Sequence, residues 1–278
     1  IRGGSFRGGR AAFSGTVSSQ YISAVMLTAP YGRETVELSI DNPPVSLPYL
    51  QMTRSLMEDY GVALDAAADW CRITIPAGGR YRGRDYIVES DASSASYFFA
   101  APAVAGGSVT VENISRLSIQ GDIAFLGILE RMGCLVSERD NTVTVSRTGD
   151  LQGIEIDMRD ISDTAPTLAV TALFANGPTR IRGVANMRLK ETDRISALCR
   201  ELGKLGAGVR EHEDGLTIIP AANYRPAAID TYDDHRMAMS FALAGLVIPG
   251  IEIRDPDCTA KTFPGFFKKF APLTGGCP

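Results

Sequence analysis

The sequence predicts an α/β chain assembled from repeated βαβ-type units, and three observations carry that prediction. Four segments share one pattern: SSQYISAVMLTAP (18–30), SSASYFFAAPAVA (93–105), DTAPTLAVTALFA (163–175) and DDHRMAMSFALAG (233–245). Their starts lie about 70 to 75 residues apart, longer than a solenoid repeat and close to a whole βαβ-type unit. After each comes a strand-like stretch, TVELSI, SVTVENI, TRIRGV or IEIRD, and after three of these an amphipathic helix.

Each repeated segment opens with Ser or Asp, whose side chains accept hydrogen bonds from the free N–H groups of a helix start. Each then runs apolar on every side, so it reads as a helix buried all round. The second helices are YLQMTRSLMEDYGV, DIAFLGILERMGCL and ETDRISALCRELGKLGAGV. In the last, Ile195, Leu198, Cys199, Leu202 and Leu205 follow the spacing of one helix face. Gly61, Gly133 and Gly206 fall at the helix ends, where a left-handed residue is needed. CRITI, NTVTVS and GLTIIP complete the first three units, and the fourth stops short at TFPGFFKKFAPL.

Composition excludes several classes. The chain has 278 residues, 45% of them hydrophobic and 22% charged, with a net charge of −4. That mildly acidic balance gives no bulk attraction to nucleic acid or membrane surfaces. No apolar run reaches the length of a membrane span, and no signal segment opens the chain. Cys71, Cys134, Cys199, Cys258 and Cys277 are scattered, with no CxxC pair, and His212 and His235 are the only histidines. Reduced thiols in a cytosolic-type compartment are expected, and no metal site. The GGRYRGRDY run (78–86) reads as a solvated, turn-rich connection rather than a nucleic-acid patch.

The buried helices point to a function. If they lie parallel, their N-termini converge, and free N–H groups with positive dipole ends gather where an anion can bind. Ser18, Ser19, Gln20, Asp163, Asp233, Asp234, His235 and Arg236 stand at those starts. Arg236 is the informative one, because a cation at a helix N-terminus opposes the dipole unless an anion sits there. A second cluster places Arg188, Lys190, Glu191, Asp193 and Arg194 within seven positions. Lys190 and Arg194 are expected on one helix face, with Glu191 within reach of Arg194. Asp193, Asp234 and Arg188 read as structural.

VSSQY, VSLPYL, ESDASSASYF, NMRLKETDRI, YDDHRMAMSFAL and DPDCTAKTFPGFF closely resemble the 5-enolpyruvylshikimate-3-phosphate synthase family, in the form typical of many bacteria and of plants. The motifs are long, in the family's order, and spread over essentially the whole chain. The resemblance implies an enolpyruvyl-transferase-like α/β (α+β) fold, two domains of repeated βαβαββ units facing a cleft. Residues 1–90 are then expected to be a partial inserted domain and 91–278 a nearly complete second one. The chain opens at Ile1 without Met, and the family's GDKSISHR-like segment and glycine-rich stretch have no counterpart. The expectation is a C-terminal portion of the enzyme.

The implied reaction moves the enolpyruvyl group of phosphoenolpyruvate onto the 5-hydroxyl of shikimate 3-phosphate and releases phosphate. It needs no metal or organic cofactor. By resemblance, Ser18, Ser19, Gln20, Ser46, Tyr49, Asp163, Asn186 and Lys190 would bind shikimate 3-phosphate, and Arg194, Arg236 and Lys261 would clamp phosphoenolpyruvate. Asp163 would be the base at the attacking oxygen, Glu191 would handle the proton at the methylene carbon, and Lys190 and His235 would stand close to the reacting atoms. Pro166 replaces the Met or Ala of many relatives, and proline is tolerated in a first helical turn. The expected partners are these two substrates alone, in the cytoplasm, with a monomer when complete. A UDP-N-acetylglucosamine enolpyruvyl transferase shares the fold and chemistry, but KETDR and DDHRMAM argue against it. A non-catalytic, anion-binding fragment is the reading from a different class.

Overall fold

Apolar side chains repeating every second residue build the first strands. Val36, Leu38 and Ile40 are buried while Glu37 and Ser39 face out, the alternation of a sheet with one covered face. In the computed structural model, which describes residues 6–16 and 18–274, the chain divides into two compact units. One is Ile1–Val88 with Ile119–Gly121, the other Glu89–Ser118 with Asp122–Pro278. Cys277 lies outside the described residues. No described helix is long and apolar enough to cross a membrane.

The first unit contains β1 (Gly9–Phe13), α1 (Ser19–Thr28), β2 (Val36–Ile40), α2 (Leu47–Asp59), β3 (Asp65–Ala66) and β4 (Arg72–Ile75). Its sheet has the order β1-β2-β4-β3, with β1 parallel to β2 and the other pairings antiparallel. Leu38 lies opposite Ile73 at the centre of this sheet, and Ile22, Met26, Leu50 and Met57 pack against it from the helices. Here one expectation fails. α1 buries only Ser19, Ile22 and Met26, and leaves Tyr21 and Leu27 exposed. With one sheet and α2 to pack against, it is covered on one side.

The second unit holds α3 (Ala92–Ala105), β5 (Gly107–Glu112), α4 (Phe125–Arg131), β6 (Leu135–Arg139) and β7 (Thr142–Arg147). It continues through β8 (Leu151–Gln152), β9 (Glu155–Asp157), α5 (Ala165–Thr171), β10 (Ala175–Asn176), β11 (Thr179–Arg182), α6 (Arg194–Lys204), β12 (Gly208–His212) and β13 (Gly215–Ile219). β14 (Ala228–Ile229), α7 (His235–Gly245), β15 (Glu252–Ile253) and α8 (Phe266–Phe270) close it. The sheet β12-β13-β11-β9 repeats the pairing pattern of the first unit, with β9 parallel to β11 and the hairpin β12–β13 antiparallel. β5-β7-β6 is antiparallel, and β14–β15 and β8–β10 are short parallel pairs.

In this unit the all-apolar helices are buried as expected. Every residue of α5 is buried, as are all but the last of α7 from His235 to Ala244 apart from the half-buried Arg236. The helices lean on one another, with the hydroxyls of Ser96 on α3 and Thr167 on α5 hydrogen-bonded at 3.0 Å. Two starts differ from expectation. Asp91, not Ser93, caps α3, and Ser93 instead donates to Asp122 from inside the first turn. Asp163 sits in a 3-10 turn, Ser162–Thr164, ahead of α5 rather than capping it, and Pro166 occupies the tolerated first turn.

The three glycines behave as their positions demand. Gly61, Gly133 and Gly206 have φ of 87°, 107° and 97°. Each helix ends in paired reverse bonds: Gly61 N to Glu58 O with Val62 N to Met57 O, Gly133 N to Glu130 O with Cys134 N to Leu129 O, and Gly206 N to Gly203 O with Ala207 N to Leu202 O. These are Schellman motifs, which satisfy carbonyls that would otherwise lack a donor. A methyl group at Gly206 would meet only the Asn223 carbonyl oxygen, at 3.8 Å, so the cost of adding it is the backbone conformation itself. Gly206→Ala is therefore expected to lower stability by about 1–2 kcal/mol in urea unfolding. An unchanged midpoint would show that this end of α6 relaxes freely.

Candidate functional site

A charged cluster in the second unit forms where the starts of α5, α6 and α7 meet. The sequence directs it there by putting a carboxylate or a cation at each start. Asp234 caps α7, accepting from the Arg236 N–H at 2.8 Å, and Asp193 caps α6, accepting from the Ser196 N–H at 3.0 Å. α6 thus begins at Arg194, with a bend over residues 190–192, so Lys190 and Arg194 do not share a helix face as expected. Lys190 instead reaches the cluster from the end of the 3-10 turn Ala185–Leu189.

Arg194 lies at the centre and is 1% exposed. Its Nε and Nη2 donate to the two oxygens of Asp234, at 2.7 and 3.2 Å. Nη2 also donates to Glu191 at 2.6 Å, and Nη1 to Asp163 at 3.4 Å. A buried guanidinium is costly unless its donors are met, and here three carboxylates meet them in a bidentate and branching pattern. Asp234, itself fully buried, holds Arg194 and the backbone of Arg236 together.

Around this centre the remaining groups pair. Arg236 Nη2 donates to Asp163 Oδ2 at 2.8 Å, and Nη1 to the Asp163 carbonyl at 3.2 Å. Lys190 Nζ stands 3.8 Å from Asp163, and the exposed Lys261 donates to Glu191 at 2.6 Å. Burial would raise the Asp163 carboxyl, but Arg236, Lys190 and Arg194 outweigh it and hold it at about 2. Glu191 follows the same logic: burial opposes ionisation, Lys261 and Arg194 override it, and the group titrates at about 2. His235 goes the other way. Desolvation and the Arg236 charge push it down to about 4, so the ring is neutral, and its buried Nδ1 has no hydrogen-bond partner among the described residues.

The other expected residues are placed as follows. Asn186 is buried and donates to Ser162 Oγ at 3.1 Å, beside Asp163, while its Oδ1 has no partner. Ser18 caps α1 by accepting from Gln20 N at 3.3 Å. Ser19 is buried and Gln20 exposed, and Ser46 precedes α2 in a left-handed conformation with its carbonyl accepting from Tyr49 N at 3.1 Å. These five belong to the first unit, and the structure brings Asp163, Asn186, Lys190, Glu191, Arg194, His235, Arg236 and Lys261 together in the second. Sequence reading missed Ser162 and Tyr97. The Tyr97 hydroxyl is fully buried and pushed up to about 12 by burial, against the opposing charges of Arg236 and Arg194. Nothing in its apolar context, SSASYFFAA, marks it as a neighbour of charge.

Counted as charges, Lys190, Arg194, Arg236 and Lys261 stand against Asp163, Glu191 and Asp234. Four cations against three carboxylates leave one positive charge on a partly accessible cluster. Such a site favours an anion, and the carboxylates it would displace are themselves able to carry protons.

The chain matches the family described as EPSP synthase (3-phosphoshikimate 1-carboxyvinyltransferase) over residues 1–270. It is 48% identical over 265 residues to the 3-phosphoshikimate 1-carboxyvinyltransferase of Methanoculleus marisnigri, covering 95% of this chain and 62% of that protein. It is 46% identical over 280 residues to the chloroplastic 3-phosphoshikimate 1-carboxyvinyltransferase of Brassica napus, covering 98% and 54%. Among solved structures, an EPSP synthase from Acinetobacter baumannii aligns with a TM-score of 0.79 at 25% identity, over 97% of this chain and 63% of the other. The chain thus spans between half and two thirds of the length of these relatives.

The depressed carboxylates make the cluster acid-sensitive. A carboxylate held low contributes stability above its ordinary value and loses it as pH falls through the folded value. For Asp163, whose ordinary value is 3.8 and folded value about 2, that contribution is roughly 2 kcal/mol. Glu191 acts in the same direction. We expect urea stability to fall between about pH 5 and pH 2, and Asp163→Asn to show a shallower fall across that window. Identical pH dependence in both proteins would remove Asp163 from the acid-labile groups.

Proposed function

The chain belongs to the EPSP synthase family, and from that membership we propose that it takes part in moving the enolpyruvyl group of phosphoenolpyruvate onto the 5-hydroxyl of shikimate 3-phosphate, with release of phosphate. The observation that carries this reading is the cluster itself: four cations, each resting on a carboxylate, at the meeting point of three helix starts. Both substrates are phosphorylated carboxylates, and a phosphate alone brings a charge of about −2 at neutral pH. Arg194, Arg236 and Lys261 are the proposed ligands of phosphoenolpyruvate. Ser18, Ser19, Gln20, Ser46, Tyr49, Asn186 and Lys190, with Asp163, are the proposed ligands of shikimate 3-phosphate.

The chemistry requires three proton movements. The 5-hydroxyl loses its proton as its oxygen bonds to C2 of phosphoenolpyruvate, and C3 gains one to become a methyl group. Phosphate then leaves C2 as the methyl group gives a proton back, restoring the carbon–carbon double bond. In this reading Asp163 takes the hydroxyl proton and Glu191 serves C3 in both directions. Each titrates at about 2 while cations rest on it, too low for an effective base near neutrality. Anions that engage Arg236, Lys190 and Lys261 would share those cations and return basicity to both carboxylates. His235, neutral and at the first position of α7, would act as a hydrogen-bonding group rather than a cation.

On the same reading, residues 1–90 and 91–278 belong to the family's two domains. The free thiols Cys71, Cys134, Cys199 and Cys258 support a reducing compartment, and we place the chain in the cytoplasm.

The test follows phosphate release from phosphoenolpyruvate plus shikimate 3-phosphate. It uses the chain alone and the chain supplemented with the preceding segment of a relative. Turnover only with the added segment is the expected result, and turnover by the chain alone would contradict a site shared with that segment. Lys190→Ala or Arg236→Ala should reduce turnover by at least 100-fold, in the range of a lost electrostatic contact to the reacting groups. Near-normal turnover in either variant would refute that residue's role. A folded, substrate-binding mixture without turnover would reduce the proposal to anion binding.

A further inference from the structure

The entry to α7 is a strained turn. Asp234 N donates to Thr231 O at 2.9 Å, closing a four-residue turn whose central residues, Tyr232 and Asp233, have φ of 56° and 55°. Two positive φ values in succession are the pattern of a type I′ turn, which ordinarily takes Asn-Gly. A tyrosine there is an outlier, because its Cβ crowds the backbone. Such a pair persists only where the surroundings over-determine it, and strain of this kind gathers at functional sites.

What holds the turn is a buried carboxylate. Glu201, on the core-facing side of α6, is 0% exposed. It accepts from the Tyr232 hydroxyl at 2.6 Å and from the Asp230 N–H at 3.1 Å, so it grips the chain on both sides of Thr231. Lys204 pairs with it at 2.6 Å and with Asp230 at 2.7 Å, which makes the buried charge tolerable. The Arg200 guanidinium lies over the Tyr232 ring, 5.1 Å from its centre. Directly after the turn come Asp234, which binds Arg194 through both oxygens, and Arg236, which binds Asp163.

We propose that Tyr232, seated on Glu201, is a positioning residue: it holds the strained 231–234 turn in place and thereby aims Asp234 and Arg236 at Arg194 and Asp163. Relaxing either residue to an ordinary φ would redirect the first turn of α7, and with it the cation closest to Asp163. Lys204 belongs to the same network but touches neither the turn's central residues nor the cluster. It neutralises Glu201 and ties α6 to the strand before the turn. The role assigned to Tyr232 rests on the reading of the cluster as a substrate site, but its geometry can be tested without turnover.

The experiment uses the whole 278-residue chain and reads two quantities, the carbon-13 titration of the Asp163 carboxyl and the thermal midpoint. Tyr232→Phe removes one oxygen and keeps the ring under Arg200. It is expected to raise the Asp163 midpoint by about one to three pH units as Arg236 draws away. Gly206→Ala, which strains the far end of α6 without touching Glu201, should lower the thermal midpoint and leave Asp163 unmoved. In the double variant Tyr232→Phe/Asp233→Gly, the glycine adopts a positive φ without strain, so the Asp163 titration should move back toward that of the parent. An Asp163 midpoint unchanged in Tyr232→Phe overturns the proposal, and so does an equal shift in Gly206→Ala, which would make the effect one of general loosening. A chain that shows the expected shifts but gives no turnover even with the added segment would leave this inference standing while refuting the enzymatic reading.

Discussion

A guanidinium buried to 1% exposure is the constraint on which the second unit is organised. Arg194 cannot shed its proton, so the fold must bring carboxylates to it. They come from separate places: Asp163 from the turn before α5, Glu191 from the bend before α6, and Asp234 from the cap of α7. Satisfying one cation therefore fixes three helix starts against each other. Removing Asp234 would leave the buried Nε donor of Arg194 unmet, a larger penalty than the loss of a surface ion pair. The apolar packing of α3, α5 and α7 supplies the bulk of the stability, and Arg194 fixes where the starts of α5, α6 and α7 meet.

Much of the fold was legible because its signals are local. Gly61, Gly133 and Gly206 mark helix ends through a requirement on one residue's φ, which no distant contact overrides. The strand after each repeated helix falls where its short apolar run stands. Burial is different, since it depends on what else packs nearby. α1 carries the same apolar pattern as α3, α5 and α7, yet among the described residues it is covered on one side, by the sheet and α2. Capping also has near-degenerate solutions: Asp91 and Ser93 both suit the start of α3, and the choice of Asp91 frees Ser93 for Asp122.

The site was legible in its members and less so in its wiring. KETDR and DDHR announce charge at helix starts, and Arg236 was conspicuous as a cation opposing a dipole. The sequence could not show that Asp193 begins α6 only at Arg194, which takes Lys190 off the helix and turns it toward Asp163. Asp234 read as a cap, and it is one, but the same two oxygens also orient Arg194. Glu201 gave no signal, because a glutamate within an amphipathic helix is ordinary until its burial is known.

The pairing also says what state the cluster is in. Asp163 pairs with Lys190 and Arg236, and Glu191 with Lys261, so each proposed proton acceptor rests on a proposed substrate ligand. The internal carboxylates supply most of the countercharge these cations need inside the fold. On the proposed reading the pairing would also couple binding to chemistry. An incoming phosphate or carboxylate would compete for Arg236, Lys190 and Lys261, and whatever it won would be taken from Asp163 or Glu191. The basicity of those two groups would then rise only with an anion bound, tying proton transfer to occupancy. Asp234 stands apart from this exchange: fully buried and gripping Arg194 from both oxygens, it keeps one cation in place while the others trade partners.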